Sequence, residues 1–221
     1  PITEDEGLSS AMKLLDNLGI SGFACTGTEE AVRAWTGGTY GEDVIKKPDG
    51  YRFQFGRKID GIDVVYVADI DTVDSIDTDN LTYKGGVDKA VISVDKFGVV
   101  SSTVYVYADE DTFDKEEVKL LSWDEMIKAA GESIAKYYKD HPTNYGTVEF
   151  NDVELAYVPC ADESGNKYFV PTWIFSQNEY NEDYRCDMPL QRVYINAIDG
   201  NYIDIVDNMK KIGMYEETGR K

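Results

Sequence analysis

Leu8, Ala11, Met12, Leu15 and Leu18 recur at spacings of three and four, which puts them on one helical face. Thr3-Glu4-Asp5-Glu6 precedes them in the form of a capping box, and Gly19 follows with apolar Ile20 behind it. The pattern predicts a helix over 4–18. A shorter helix is expected over 29–35, closed by Gly37-Gly38. The period then changes. Tyr51, Phe53 and Phe55 alternate with Arg52 and Gln54, as in a strand with one dry face and one wet face. Asp60-Gly61 is expected to turn that strand back into a second over 62–68, and "KAVISVDKFGVVSSTVYVY" to add a hairpin turning at 96–98.

The second half repeats this plan. Ser122-Trp123-Asp124-Glu125 is another capping box. Trp123, Ile127, Ala130, Ile134 and Tyr137 then mark the apolar face of a helix over 123–139, stopped by His141-Pro142. Strand patterns follow in "GTVEFNDVELAYVP", "KYFVPTWIFS" and "RVYINAIDGNYIDIV", the last with a turn at Asp199-Gly200. Segregated helix and strand runs predict an α+β fold of two halves, each a helix packed on an antiparallel β-meander. The boundary is expected in the charged stretch 107–122, which gives domains 1–112 and 113–221.

Composition narrows the function. Forty-two acidic against 22 basic residues leave a formal charge of −20, which repels a phosphate backbone and argues against nucleic acid as a partner. A hydrophobic content of 42% with 16 tyrosines describes a folded domain rather than an acidic tail. No window approaches the ~20 apolar residues that span a bilayer. The chain opens on "PITEDEG" without an initiator methionine, so a removed export signal or membrane anchor is expected ahead of it.

"DGYRFQFGRKIDGIDVVY" with "VISVDKFGVVSS" resembles the PepSY-like pattern, in which an aromatic strand, an Asx-Gly hairpin and a strand ending in an Asp-x-x-Gly turn succeed one another. "YVPCADESGNKYFVPTWIFS" with "VYINAIDGNYI" is similar to the later half of that pattern, where a Pro-x-Trp strand precedes an Asp-Gly turn. The tandem arrangement resembles the YycH and YycI family of membrane-anchored extracellular regulators of Gram-positive bacteria. It covers about 50–108 and 147–206. The resemblance implies two PepSY-like repeats, an extracellular address, contact with an envelope protein and no catalytic residues. This chain departs from it in lacking an initial membrane helix and in a longer, more acidic loop over 177–189.

Candidate chemistry is sparse. Cys25, Cys160 and Cys186 have no C-x-x-C spacing and only His141 to join them, so neither a metal site nor another cofactor is expected. They read either as idle thiols or as a Cys160–Cys186 bridge with Cys25 left over. Asp69, Asp71, Asp74, Asp77 and Asp79 offer carboxylates to calcium but lack the glycine and glutamate of an EF-hand loop, so a solvated acidic loop is expected. His141 reads as a helix C-terminal cap. Trp123 and Trp173 read as core and Trp35 is ambiguous. The polar connection "SQNEYNEDYRCDMP" carries Tyr180, Tyr184 and Arg185, types enriched at binding hot spots, and these three are the candidate partner-binding residues.

Without G-x-S-x-G, a phosphate-cradling loop or H-E-x-x-H, no catalytic residues are assigned. The sequence thus reads as a non-enzymatic protein-interaction or regulatory module of a bacterial cell-surface protein. The alternatives are a small-molecule, carbohydrate or peptide binding domain, and a carboxylate-dependent wall hydrolase.

Overall fold

Thr3 begins the first helix as its sequence predicts. Its hydroxyl accepts a hydrogen bond from the Glu6 amide at 3.3 Å, and Glu6 Oε2 accepts from the Thr3 amide at 2.9 Å. Helix α1 runs Glu4–Asn17. It closes where Gly19 N donates to Asp16 O and Ile20 N to Leu15 O, each at 3.0 Å, the two bonds of a Schellman motif. The computed structural model describes residues 2–35, 45–65, 81–83, 88–107, 113–140, 150–176, 192–213 and 215–217.

The chain divides into two compact units, 1–58 with 87–113, and 59–86 with 114–221. In the first, β1 (Phe23–Trp35), β2 (Ile45–Ile59), β5 (Lys89–Asp95) and β6 (Gly98–Tyr105) form an antiparallel sheet in the order β1-β2-β5-β6. β1 corrects the helix expected over 29–35. Those residues pair with β2 from Glu29↔Arg52 to Trp35↔Ile45, and this long-range ladder outweighs the weak local helical pattern. The predicted alternation in β2 holds, with Phe53 and Phe55 buried and Arg52 and Gln54 on the other face. Ala11 and Leu15 of α1 seal that dry face over Phe53, Phe55, Ala90, Ile92 and Val94. Fully burying each large apolar side chain contributes about 1.5–3 kcal/mol.

In the second unit, Asp60 and Gly61 turn the chain with left-handed backbone at both positions, φ 50° and 83°. The strand expected over 62–68 is much shorter than its pattern implied. β3 is only Ile62–Asp63, after which Val64 makes a parallel bridge to Tyr157 and Val65 N donates to Tyr157 O at 2.9 Å. Residues 66–68 lie outside the described residues. β4 (Leu81–Tyr83) pairs instead with the terminal β10 (Tyr215–Glu217).

Helix α2 (Trp123–Asp140) is capped by Ser122, whose hydroxyl and amide both meet Glu125 Oε2 at 2.6 and 2.9 Å. β7 (Asp152–Ala161), β8 (Lys167–Ser176) and β9 (Arg192–Asn196) form its antiparallel sheet. α2 lays Met126 and Ala130 on Phe175, Val193 and Ile195. The apolar face thus keeps Ala130 and Ile134 of the predicted set, gains Met126, and leaves Trp123 and Ile127 to one side. Trp123 is 52% exposed and not core, because at the first helical position it lies beside the seam; Ile127 is likewise exposed. The strand expected after Asp199-Gly200 is a single bridge, Tyr202 to Ile195. Asp204 then caps α3 (Ile205–Lys211) by accepting from the Asp207 amide at 3.0 Å, so a local cap overrides the β-branched run. α3 meets β7 where Asn208 Nδ2 donates to Pro159 O at 2.7 Å.

Both units thus set a helix on an antiparallel sheet, and the fold is α+β. No helix among the described residues is long and apolar enough to cross a membrane.

Candidate functional site

Strand alternation puts Arg57 on the same dry face of β2 as Phe53 and Phe55, so its charge must be answered inside the first unit. Asp88 answers it. Arg57 Nε donates to Asp88 Oδ2 at 2.6 Å, Asp88 Oδ1 accepts from the Tyr107 amide at 2.6 Å, and both side chains are buried. Phe23 and Phe113 place their ring centroids 5.4 and 5.5 Å from the guanidinium carbon, within cation–π range. This cluster ties the chain leaving β6 back to β2. Its closure to solvent makes it a structural clamp, with no room for a substrate.

An open surface of the first unit lies along the last strand of the sheet, from the Phe97 turn back to this clamp. Among the described strands β6 is an edge, and it carries none of the usual defences of lysine or proline along its length. From Phe97 to Tyr107 no side chain is charged. Phe97, Val99, Val100, Tyr105 and Val106 are all exposed, Phe97 to 83%. The Asp95 carboxylate accepts from the Phe97 amide at 2.7 Å and so fixes the turn that presents Phe97.

Two irregularities in register, one between β1 and β2 and one between β5 and β6, shape the surface of this sheet. Ala31↔Gly50 is followed by Val32↔Pro48, which leaves Asp49 as an extra residue on β2. Ser93↔Ser101 is followed by Val94↔Val99, which leaves Val100 as an extra residue on β6. Such bulges re-aim side chains. Here they border a shallow depression of about 220 Å³, lined by Ala31, Asp49, Gly50, Ser93, Val94, Asp95 and Val100. It sets Asp49 and Asp95, both already engaged by partners, beside apolar walls.

The second unit offers an aromatic corner. Trp123 meets Trp173 edge to face at 5.6 Å, with Trp173 half-buried against the core and Trp123 half in water. Cys25 and Cys160 are free thiols. Burial pushes the Cys160 thiol up to about 11, against a hydrogen bond from Asn208 that draws it down. At neutral pH it is a protonated, enclosed group and a poor nucleophile. Burial likewise raises the Tyr194 phenol to about 12, with Arg192 opposing.

Sequence reasoning proposed Tyr180, Tyr184 and Arg185, and these lie outside the described residues, as do His141, Cys186 and the aspartates of 69–79. It missed the Arg57–Asp88 clamp, although an arginine in phase with Phe53 and Phe55 is its signature. It also missed the β6 edge, which only strand order reveals. Among the described residues no group of three or more His, Cys, Asp or Glu side chains is placed to hold a metal ion.

No known family pattern matches this chain, and no curated protein matches it. Among solved structures, the Bacillus megaterium YpeB C-terminal domain aligns with all of this chain and 67% of its own, at 10% identity and a TM-score of 0.36, a likeness too slight to carry an argument.

Proposed function

We propose that this chain is a non-enzymatic interaction or regulatory module from the extracellular side of a bacterial cell surface, built of two PepSY-like halves in tandem and similar to YycH and YycI. It acts by holding an envelope protein. The observation that carries this reading is the uncharged β6 edge, which exposes Phe97, Val99 and Val100 at one end and Tyr105 and Val106 at the other, since exposed apolar groups of this size mark interaction sites. The sequence resemblance supports the address and the regulatory role.

Position-dependent cross-linking tests it. A benzophenone side chain at position 105 should give one discrete adduct in a Gram-positive envelope preparation, while the same group at exposed position 132 on α2 should not. Equal labelling from both positions, or from neither, refutes the reading.

The half-exposed Trp123 ring favours one second reading, a carbohydrate or small-molecule site at the aromatic corner. A rise in melting temperature with a sugar panel, lost in Trp123→Ala, would support it.

A further inference from the structure

We propose that Asp60 is a site of spontaneous covalent modification, at which the folded chain converts aspartate to isoaspartate through a cyclic imide formed with Gly61.

An aspartate followed by glycine is the pair most open to this reaction, because no side chain shields the following amide. The Gly61 nitrogen attacks the Asp60 side-chain carbonyl carbon, a C–N bond forms, and the carboxyl hydroxyl leaves as water with the amide proton. Water then opens the imide. Attack at the side-chain carbonyl restores aspartate, and attack at the main-chain carbonyl gives isoaspartate, with the backbone rerouted through the side-chain carboxyl. The water lost is regained, so no other reactant is needed.

The chain holds three such pairs, and the fold separates them. Gly50 is buried between Ala31 of β1 and Asp95 of β5, and β5 backbone fills the space beside it. Gly200 is buried too. Its amide donates to Asn196 O at 2.9 Å, and the Asp199 carboxylate accepts from the Asn201 amide, also at 2.9 Å. Asp60 and Gly61 differ on each count. Both are exposed, nothing lies within 4 Å of a Cβ built on Gly61, and its amide makes no hydrogen bond among the described residues. Asp60 already sits in the left-handed region at φ 50°, which is costly for a residue other than glycine. The turn must open before the nitrogen can reach the carboxyl. The side-chain contact to be parted is the exposed Lys115–Asp60 pair at 3.0 Å, of a kind that contributes little. The product carries one more main-chain atom between the buried Ile59 and Val64, so the hairpin cannot close as before.

The test is to age the whole chain at neutral pH in water enriched in heavy oxygen, then digest it and locate label and isoaspartate by electron-transfer fragmentation. Asp60 should convert about fivefold faster than Asp49 or Asp199, the protection conferred by one hydrogen bond that must first break. In guanidinium chloride the three rates should converge, since the difference lies in the fold. Conversion of Asp49 or Asp199 as fast as Asp60 in the folded chain overturns the proposal. So does an unconverted Asp60 in the folded chain by the time the unfolded chain has reacted, because the hairpin would then protect it.

Discussion

Arg57 and Asp88 form an ion pair sealed inside the first unit, with 2.6 Å between Nε and Oδ2 and side-chain exposures of 2% and 0%. A buried pair is a weak net source of stability, yet losing one member leaves an uncompensated charge in a low-dielectric interior. Arg57→Met strands the Asp88 carboxylate and should cost about 3–5 kcal/mol in urea unfolding. Adding Asp88→Asn removes that charge while keeping an acceptor for the Tyr107 amide. The double variant should therefore be more stable than Arg57→Met alone. If it is equally or less stable, the cost lies in lost packing against Phe23 and Phe113 and not in the orphaned charge.

Gly50 has a different reason for being what it is. A Cβ built there overlaps the Val94 carbonyl oxygen and comes within 2.9 Å of Asp95 Cα, so backbone from β5 fills the space a side chain needs. Backbone cannot rotate aside as a side chain can. Gly50→Ala should destabilise the protein by about 1–3 kcal/mol. Gly131 on the exposed flank of α2 is the control, because a Cβ there meets nothing within 4 Å. Gly131→Ala should stabilise by up to about 1 kcal/mol through helix propensity. Chemical denaturation of both variants checks the pair; equal small effects would show that the β2–β5 contact yields easily.

What the sequence disclosed was whatever is decided within four or five residues. Thr3 with Glu6, Gly19 with Ile20, and Ser122 with Glu125 each satisfy backbone groups one turn away, so both long helices and their caps could be read directly. α3 could have been read the same way, from the Asp204 cap, Lys210 and Lys211 in its last turn and Gly213 just beyond. The β-branched look of "YIDIV" hid it. The segment 29–35 was not decidable locally, because its state depends on β2 lying alongside it with Gln54 Nε2 donating to Glu29 at 3.1 Å. Trp123 misled for a related reason: size argues for burial, but the seam of α2 is set by which residues face Val193 and Ile195, and those are Met126 and Ala130. Of the candidate site, composition disclosed that Phe97 to Tyr107 is uncharged; that this run forms an edge is a fact of strand order, which no periodicity encodes.

Cys160 links burial to pH. Its thiol is pushed up to about 11 in the folded chain from an ordinary value near 9.0, chiefly by burial. The raised value means the native state holds a proton that the unfolded thiol gives up first. Its contribution is therefore complete below about pH 8 and is lost as pH rises through about 11, so stability falls with pH across that window. A shift of this size is worth on the order of 2 kcal/mol at the alkaline end. Tyrosines and lysines titrate there too, Tyr194 among them, so the comparison has to be with a variant that keeps them. The stability difference between the natural chain and Cys160→Ala, measured by urea unfolding, should shrink by about 1–2 kcal/mol between pH 8 and pH 10.5. Parallel pH profiles for the two proteins would mean that the thiol ionises in place, reached by water through an opening beside Asn208 that the packing of α3 on β7 does not show.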